Sequence, residues 1–231
     1  MFASPARPSE SRGPDRNSLP QKADFPVTSI AAVRNDSMPL AFLITGDGGL
    51  TSFDLAICKT LADNGMPVLA LDARKYFWNF RSPEETTRDV AETVLNYIEK
   101  WNKKKLILVG YSYGACVIPF IAARLPASLQ AALSGIYCLS PDEIVDFEVH
   151  YLDMIGLGGI VDKYKVVEEV KKIQRFHPVC IYGDDESQKL RILFGEAGAK
   201  IIIVPGNHHY DNKPDVPALE IVKVFREGRK T

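Results

Sequence analysis

Lys105-Leu-Ile-Leu-Val-Gly110-Tyr-Ser112-Tyr-Gly114-Ala-Cys-Val-Ile-Pro-Phe120 joins two apolar runs through a pair of glycines that flank a serine. The first run is short, continuous and bounded, the pattern of a strand covered on both faces. The second is long enough for a helix. A serine at such a junction sits on a tight turn with its hydroxyl exposed, because small residues two before and two after it let the chain bend. The helix N-terminus adds positive potential there. A serine hydroxyl is a poor nucleophile and needs a base and a stabilised oxyanion. By itself G-x-S-x-G arises by chance in on the order of one chain in ten of this length. Its place between a strand and a helix favours a functional serine over a Gly/Ser turn without a role.

Outward from this junction the pattern repeats. Strands are expected at 26–33, 40–45, 67–72, 105–110, 134–139, 178–183 and 200–205. One helix is expected from Thr51 or Ser52 to Asn64, with Gly65 suited to the left-handed position after its last turn. Another begins at Ser82-Pro83-Glu84-Glu85, a capping box with proline at the first helical position. Its apolar positions Val90, Val94, Tyr97, Ile98 and Trp101 follow helical spacing. Further helices are expected from Ser112 to about Ala123, over roughly 163–175 and over about 215–228. This alternation implies one α/β domain over 23–231, a mainly parallel central sheet with helices on both faces and little or no cap. The stretch 145–160, VDFEVHYLDMIGLGGI, is expected as an edge hairpin or a cover over the C-terminal edge of the sheet, where open α/β sheets bind ligands. Residues 1–22 are rich in Pro, Ser, Arg and Gly and are expected to be a disordered tail.

The loops after successive strands supply partners for Ser112. An oxyanion needs two backbone N–H groups. Tyr113 offers one, and the loop Thr45-Gly46-Asp47-Gly48-Gly49 offers the other from Asp47 or Gly48, since glycines allow a close backbone approach. A phosphate-cradling role for this loop is disfavoured by the lack of a Lys-Ser/Thr and of G-x-G-x-x-G spacing. The base should be a late histidine after the last strand. Pro205-Gly206-Asn207-His208-His209-Tyr210 provides two, and the sequence does not decide between them; we expect His209. His150 and His177 read as structural. The acid should follow the preceding strand, where Asp184-Asp185-Glu186 stand, and Asp185 or Glu186 is favoured over Asp184. Serine, acid and histidine in that order, each after a successive strand, form the α/β-hydrolase order. Tyr76, Phe77, Trp78 and Phe80 either line an apolar substrate pocket or bury themselves between helix and sheet.

Composition sets outer limits. The 231 residues, 46% hydrophobic and 25% charged, suit a globular domain, and a net charge of −1 gives no sign of steering toward nucleic acid or anionic membrane. Lysine runs at 103–105 and 171–172 read as solvated helix ends. Cys58, Cys116, Cys138 and Cys180 lack metal-ligand spacing and sit in apolar runs. The proposed chemistry needs no metal or organic cofactor. No apolar run reaches the ~20 residues of a membrane-spanning helix, and the first 21 residues lack the apolar core of an export signal.

Five stretches together resemble the VirJ/AcvB family of bacterial virulence proteins: ITGDGGL (44–50) with Phe53-Asp54, LDARKYFW (71–78) followed by Arg81-Ser82-Pro83-Glu84, GYSYGACVIPF (110–120), CIYGDDE (180–186) and VPGNHHYD (204–211). Leu50 stands where that family commonly has an aromatic. The resemblance implies an α/β-hydrolase, usually periplasmic, with Ser112 as nucleophile. It implies an acid from 184–186, a histidine from the 208–209 pair, and oxyanion amides at Asp47 and Tyr113. It also implies either hydrolysis of an aminoacylated phosphatidylglycerol, a lipid ester, or a link to type IV secretion. The alternative is a catalytically silent adaptor with a secretion-system protein as partner.

Overall fold

The computed structural model describes residues 25–34, 37–149 and 164–228. All seven expected strands form: β1 (Val27–Ile30), β2 (Leu40–Ile44), β3 (Val68–Leu71), β4 (Leu106–Tyr111), β5 (Leu133–Leu139), β8 (Val179–Gly183) and β9 (Lys200–Val204). They make one sheet in the order β1-β3-β2-β4-β5-β8-β9, parallel throughout except that β1 runs antiparallel to β3. Two further short strands, β6 (Ile144–Val145) and β7 (Tyr164–Lys165), pair antiparallel.

The continuous apolar runs have the physical cause expected of them. Leu40, Phe42 and Ile44 of β2 point into one core layer, and Ala41 and Leu43 point into the other. Helices α1 (Ser52–Asp63) and α8 (Asp215–Glu227) cover the second face, and α3 (Pro83–Lys100), α4 (Tyr113–Arg124) and α6 (Val166–Lys172) cover the first. Helix α3 starts at the expected capping box: Ser82 Oγ accepts the Glu85 N–H at 3.1 Å and a Glu85 carboxylate oxygen accepts the Ser82 N–H at 3.0 Å. Helix α4 is buried continuously from Gly114 to Ala122, because it lies between the sheet and α3 and α6.

Three helices were not anticipated: α2 (Ala73–Tyr76), α5 (Ala127–Ala132) and α7 (Gln188–Glu196). The first two are too short for a periodic apolar face to stand out, and α7 buries only Phe194 fully. The helix expected over 163–175 is shorter, Val166–Lys172, and ends in a 3₁₀ turn over Gln174–Phe176. Of the stretch 145–160, residues 145–149 run beside the segment after α2, where Arg81 N–H donates to the Phe147 carbonyl and Val149 N–H to the Phe77 carbonyl. The remainder of that stretch, including His150, and the expected tail over 1–22 lie outside the described residues. Among the described residues no helix is long and apolar enough to cross a membrane.

With β4 central, the C-terminal ends of β2, β4, β5, β8 and β9 bring the loops after them to one edge of the sheet.

Candidate active site

Ser112 stands between the last residue of β4 and the first of α4, with φ 50° and ψ −112°. A non-glycine residue in such a region costs on the order of 1–3 kcal/mol unless its surroundings hold it there. Here they do: Ser112 N–H donates to the Leu139 carbonyl at 2.9 Å, and Gly114 N–H donates to the Thr45 carbonyl at 3.1 Å. Both flanking glycines are required by close approach. A Cβ on Gly110 would lie 2.3 Å from the Gly114 carbonyl oxygen, and one on Gly114 would lie 2.1 Å from that of Ile44.

Nε2 of His208 lies 2.9 Å from Ser112 Oγ, and Nδ1 of the same ring lies 3.0 Å from Glu186 Oε1. The other carboxylate oxygen of Glu186 accepts the Gly183 N–H at 2.6 Å and the Ser140 hydroxyl at 2.8 Å. Ser140 is buried at the end of β5 with φ 53°, and its N–H donates to the Ile181 carbonyl. The buried Tyr210 hydroxyl lies 2.8 Å from Ser140 Oγ and donates to the Ile181 carbonyl oxygen at 2.9 Å. The carboxylate is thus held in the wall, with Glu186 only 9% exposed, while His208 at 44% faces the open side. Such a chain is suited to moving a proton from Oγ to Nε2 while a fixed negative charge orients the ring.

This geometry corrects one expectation and separates two candidates that were left open. His209 does not meet Ser112; its Nδ1 lies 2.6 Å from the Tyr111 hydroxyl. The loop turns sharply between Gly206 (φ 113°) and the left-handed residues Tyr210, Asp211 and Asn212, and the two imidazoles stand at 81° to each other. Of the two favoured acids, Asp185 stays exposed and Glu186 reaches His208. The Asp185 N–H donates to the Gly206 carbonyl, and Asp184 Oδ1 accepts the Gly206 N–H at 2.8 Å, so both residues stitch this turn to the histidine loop. Ser140, Tyr210 and Tyr111 went unread in the sequence; a small polar residue ending an apolar strand beside the acid's strand was the available signal for the first.

The loop after β2 flanks Ser112 on its other side. A Cβ on Gly46 would lie 3.7 Å from that of Ser112. Thr45 Oγ1 accepts the Ala73 N–H at 3.0 Å and ties the loop to α2. Among the described residues the amides of Asp47, Gly48 and Tyr113 make no backbone hydrogen bond in the turns, loops and caps.

The aromatic stretch divides. Tyr76 and Phe77 are buried rather than pocket-lining: the Tyr76 hydroxyl donates to Asp89 at 2.8 Å, and Phe77 packs edge-on against Tyr113 and Phe147. The short α2 turns both rings inward. Trp78 and Phe80, beyond it, are 55% and 54% exposed. The Tyr113 hydroxyl is buried without a hydrogen-bond partner among the described residues, and burial pushes it well above its usual value.

A mainly parallel sheet with helices on both faces and a serine on the turn from its central strand into a helix defines an α/β-hydrolase. Residues 38–228 match the bacterial virulence protein (VirJ) family, and the chain belongs to it. No curated protein matches the chain. Among solved structures, a thermostable carboxyl esterase from Bacillus coagulans is similar with a TM-score of 0.62 at 13% identity, over 87% of this chain and 93% of that one. A proline iminopeptidase from Mycobacterium smegmatis has a TM-score of 0.61 at 11% identity, over 87% and 94%. Est1E from Butyrivibrio proteoclasticus has a TM-score of 0.58 at 16% identity, over 88% and 92%. At such identities the likeness is one of fold.

Proposed function

We propose that the protein is a serine hydrolase that cleaves an ester or other acyl bond through Ser112, His208 and Glu186. The observation that carries this reading is the unbroken hydrogen-bond chain from Ser112 Oγ through both nitrogens of His208 to Glu186. A pure adaptor has no need of that chain, and so the secretion-complex alternative is not favoured.

In the proposed reaction Ser112 Oγ attacks the carbonyl carbon while His208 Nε2 accepts its proton. The carbonyl π pair moves onto oxygen, and the Asp47 and Tyr113 amides donate to the resulting oxyanion. One such donor is worth about 2.7–4 kcal/mol at the transition state. Collapse of the intermediate breaks the bond to the leaving oxygen, which takes the proton from His208 and departs. A water then repeats the sequence on the acyl-serine. Glu186 stays ionised throughout, holds the Nδ1–H tautomer and stabilises the imidazolium.

For the substrate we propose an aminoacyl ester of a phospholipid such as phosphatidylglycerol, which is supported by the VirJ/AcvB resemblance and by membership of the VirJ family.

The experiment is covalent labelling of the purified chain with a fluorophosphonate probe, read by intact mass, with Ser112→Ala as control. Stoichiometric labelling that vanishes in the variant is the expected result. Folded protein that takes no label overturns the reading.

A further inference from the structure

We infer that the hollow beside the 46–50 loop, walled by Leu50, Arg74, Lys75 and Trp78, is a subsite for an anionic oxygen group, phosphoryl or carboxylate, carried by the substrate. The inference rests on the serine-hydrolase reading above.

The hollow has a volume of about 530 Å³ and shares Gly48 with the loop that flanks Ser112. Two cations and one carboxylate, that of Asp72, border it. Lys75 pairs with Asp72 at 3.2 Å, and the second oxygen of that carboxylate accepts the Lys75 N–H, so Asp72 is engaged within its own turn. Arg74 is exposed and forms no ion pair among the described residues. The Gly49 backbone passes close beneath it: a Cβ on Gly49 would stand 3.1 Å from Arg74 Cβ. Trp78 and Leu50 add an apolar wall, which suits the carbon chain between an anion and a reacting carbonyl.

The sheet sets the distance. Arg74 follows β3 and Ser112 follows β4, with β2 between them. Two strand spacings amount to roughly 10 Å along the sheet edge. The anion must therefore stand several bonds from the carbonyl that Ser112 attacks. A single exposed cation contributes little, but a guanidinium grips carboxylate or phosphate through two parallel hydrogen bonds, which an ammonium does not reproduce.

The test compares two soluble esters that differ by one phosphate group, monobutyryl glycerol and monobutyryl glycerol 3-phosphate. The wild-type chain should favour the phosphate ester by roughly tenfold in kcat/KM, and Arg74→Ala should bring that ratio close to unity while Arg74→Lys keeps part of it. Glycerol 3-phosphate binding, followed by calorimetry, should weaken in Arg74→Ala, whose fold is checked by thermal melting. A third arm presents long-chain forms of both esters in zwitterionic vesicles. A preference present in solution marks a soluble anionic substrate, and one seen only in vesicles marks a lipid headgroup; either supports the subsite. Equal rates for charged and neutral esters in both settings overturn it, as does an Arg74→Ala loss shared equally by the two. If no ester turns over and the fluorophosphonate fails to label, the serine-hydrolase reading falls instead. Glycerol phosphate binding then decides the subsite by itself, and its absence, or its persistence in Arg74→Ala, rejects it.

Discussion

The Tyr111 hydroxyl lies 2.6 Å from Nδ1 of His209 and 3.4 Å from the carbonyl oxygen of His208. The residue before Ser112 therefore holds the residue after the histidine that touches it. One residue further on, Tyr210 is anchored through its hydroxyl to the Ile181 carbonyl. His208 is thus followed by two tethered residues on a loop that contains three consecutive left-handed residues, Tyr210 to Asn212. Burial pushes the Tyr111 hydroxyl above its usual 10.0, and the Asp54 and Glu186 carboxylates add to the shift, so it stays protonated at neutral pH. Tyr111→Phe removes one hydrogen bond, worth about 1 kcal/mol, and leaves the ring. We expect kcat to fall roughly fivefold with little change in KM, because the loss falls on the aim of His208 and not on substrate contacts. Steady-state kinetics with a thermal melt as control checks it; unchanged kcat would reduce the bond to a surface contact.

Glu186 and Asp185 are neighbours in sequence, and only the first reaches His208. Glu186→Gln keeps the shape and removes the charge that fixes the tautomer, a change that lowers turnover by about 10⁴ in triads of this kind. Asp185→Ala should leave turnover within about threefold, as its carboxylate is exposed. Ser140→Ala falls between them, since Glu186 Oε2 then keeps only the Gly183 N–H, for a loss of roughly tenfold. The ranking of the three variants in kcat/KM is the measurement. A larger loss in Asp185→Ala than in Glu186→Gln would reverse the assignment.

These two cases show where reading the chain succeeds and where it stops. Strands β2, β3, β4 and β8 were legible because each is buried along its whole length, which demands a continuous apolar run, and α3 was legible because its cap is local chemistry. Gly110 and Gly114 were legible as a pair, although the reason for them, backbone atoms of Gly114 itself and of Ile44 on β2, is a tertiary fact. His208 and His209 differ by one position on a loop whose direction depends on left-handed residues that carry side chains, and no local rule marks Tyr210, Asp211 and Asn212 for that conformation. Tyr76 and Phe77 were undecidable for a similar reason: a four-residue helix, Ala73–Tyr76, determines which way they face. Ser140 acts on Glu186 across 46 residues of sequence, a separation at which spacing carries no information.

Ser112 itself supports a prediction about stability. Its φ of 50° with ψ −112° is a conformation that glycine adopts at little cost and a residue with a Cβ does not. Ser112→Ala keeps the Cβ and the strain, whereas Ser112→Gly releases it. Both variants should lose labelling and turnover. Ser112→Gly should nevertheless be the more stable of the two by about 1 kcal/mol, read as a higher urea midpoint at unchanged slope. Equal midpoints would mean that the surrounding hydrogen bonds, not strain, dominate at this turn.

The buried hydroxyls and thiols predict how the fold fails in alkali. Burial pushes Cys58 and Cys116 up from 9.0 to about 12, and it raises Tyr76, Tyr111 and Tyr137 well above 10.0. All four cysteines are free and buried. In the unfolded chain these groups ionise at their ordinary values, so above about pH 9 the unfolded state holds fewer protons than the folded one. Each group that is ionised only in the unfolded state then lowers stability by about 1.4 kcal/mol per pH unit. Below that pH both states are protonated and the groups contribute nothing to the slope. The urea midpoint should therefore change little on account of these groups from about pH 7 to 8.5 and fall with increasing steepness above about pH 9. At pH 8 a thiol reagent should find the cysteines unreactive until urea unfolds the chain, and tyrosinate absorbance should appear together with unfolding. A midpoint that holds level to about pH 11, or thiols that react in the native protein, would mean that this core admits ions or solvent that its packing is expected to exclude.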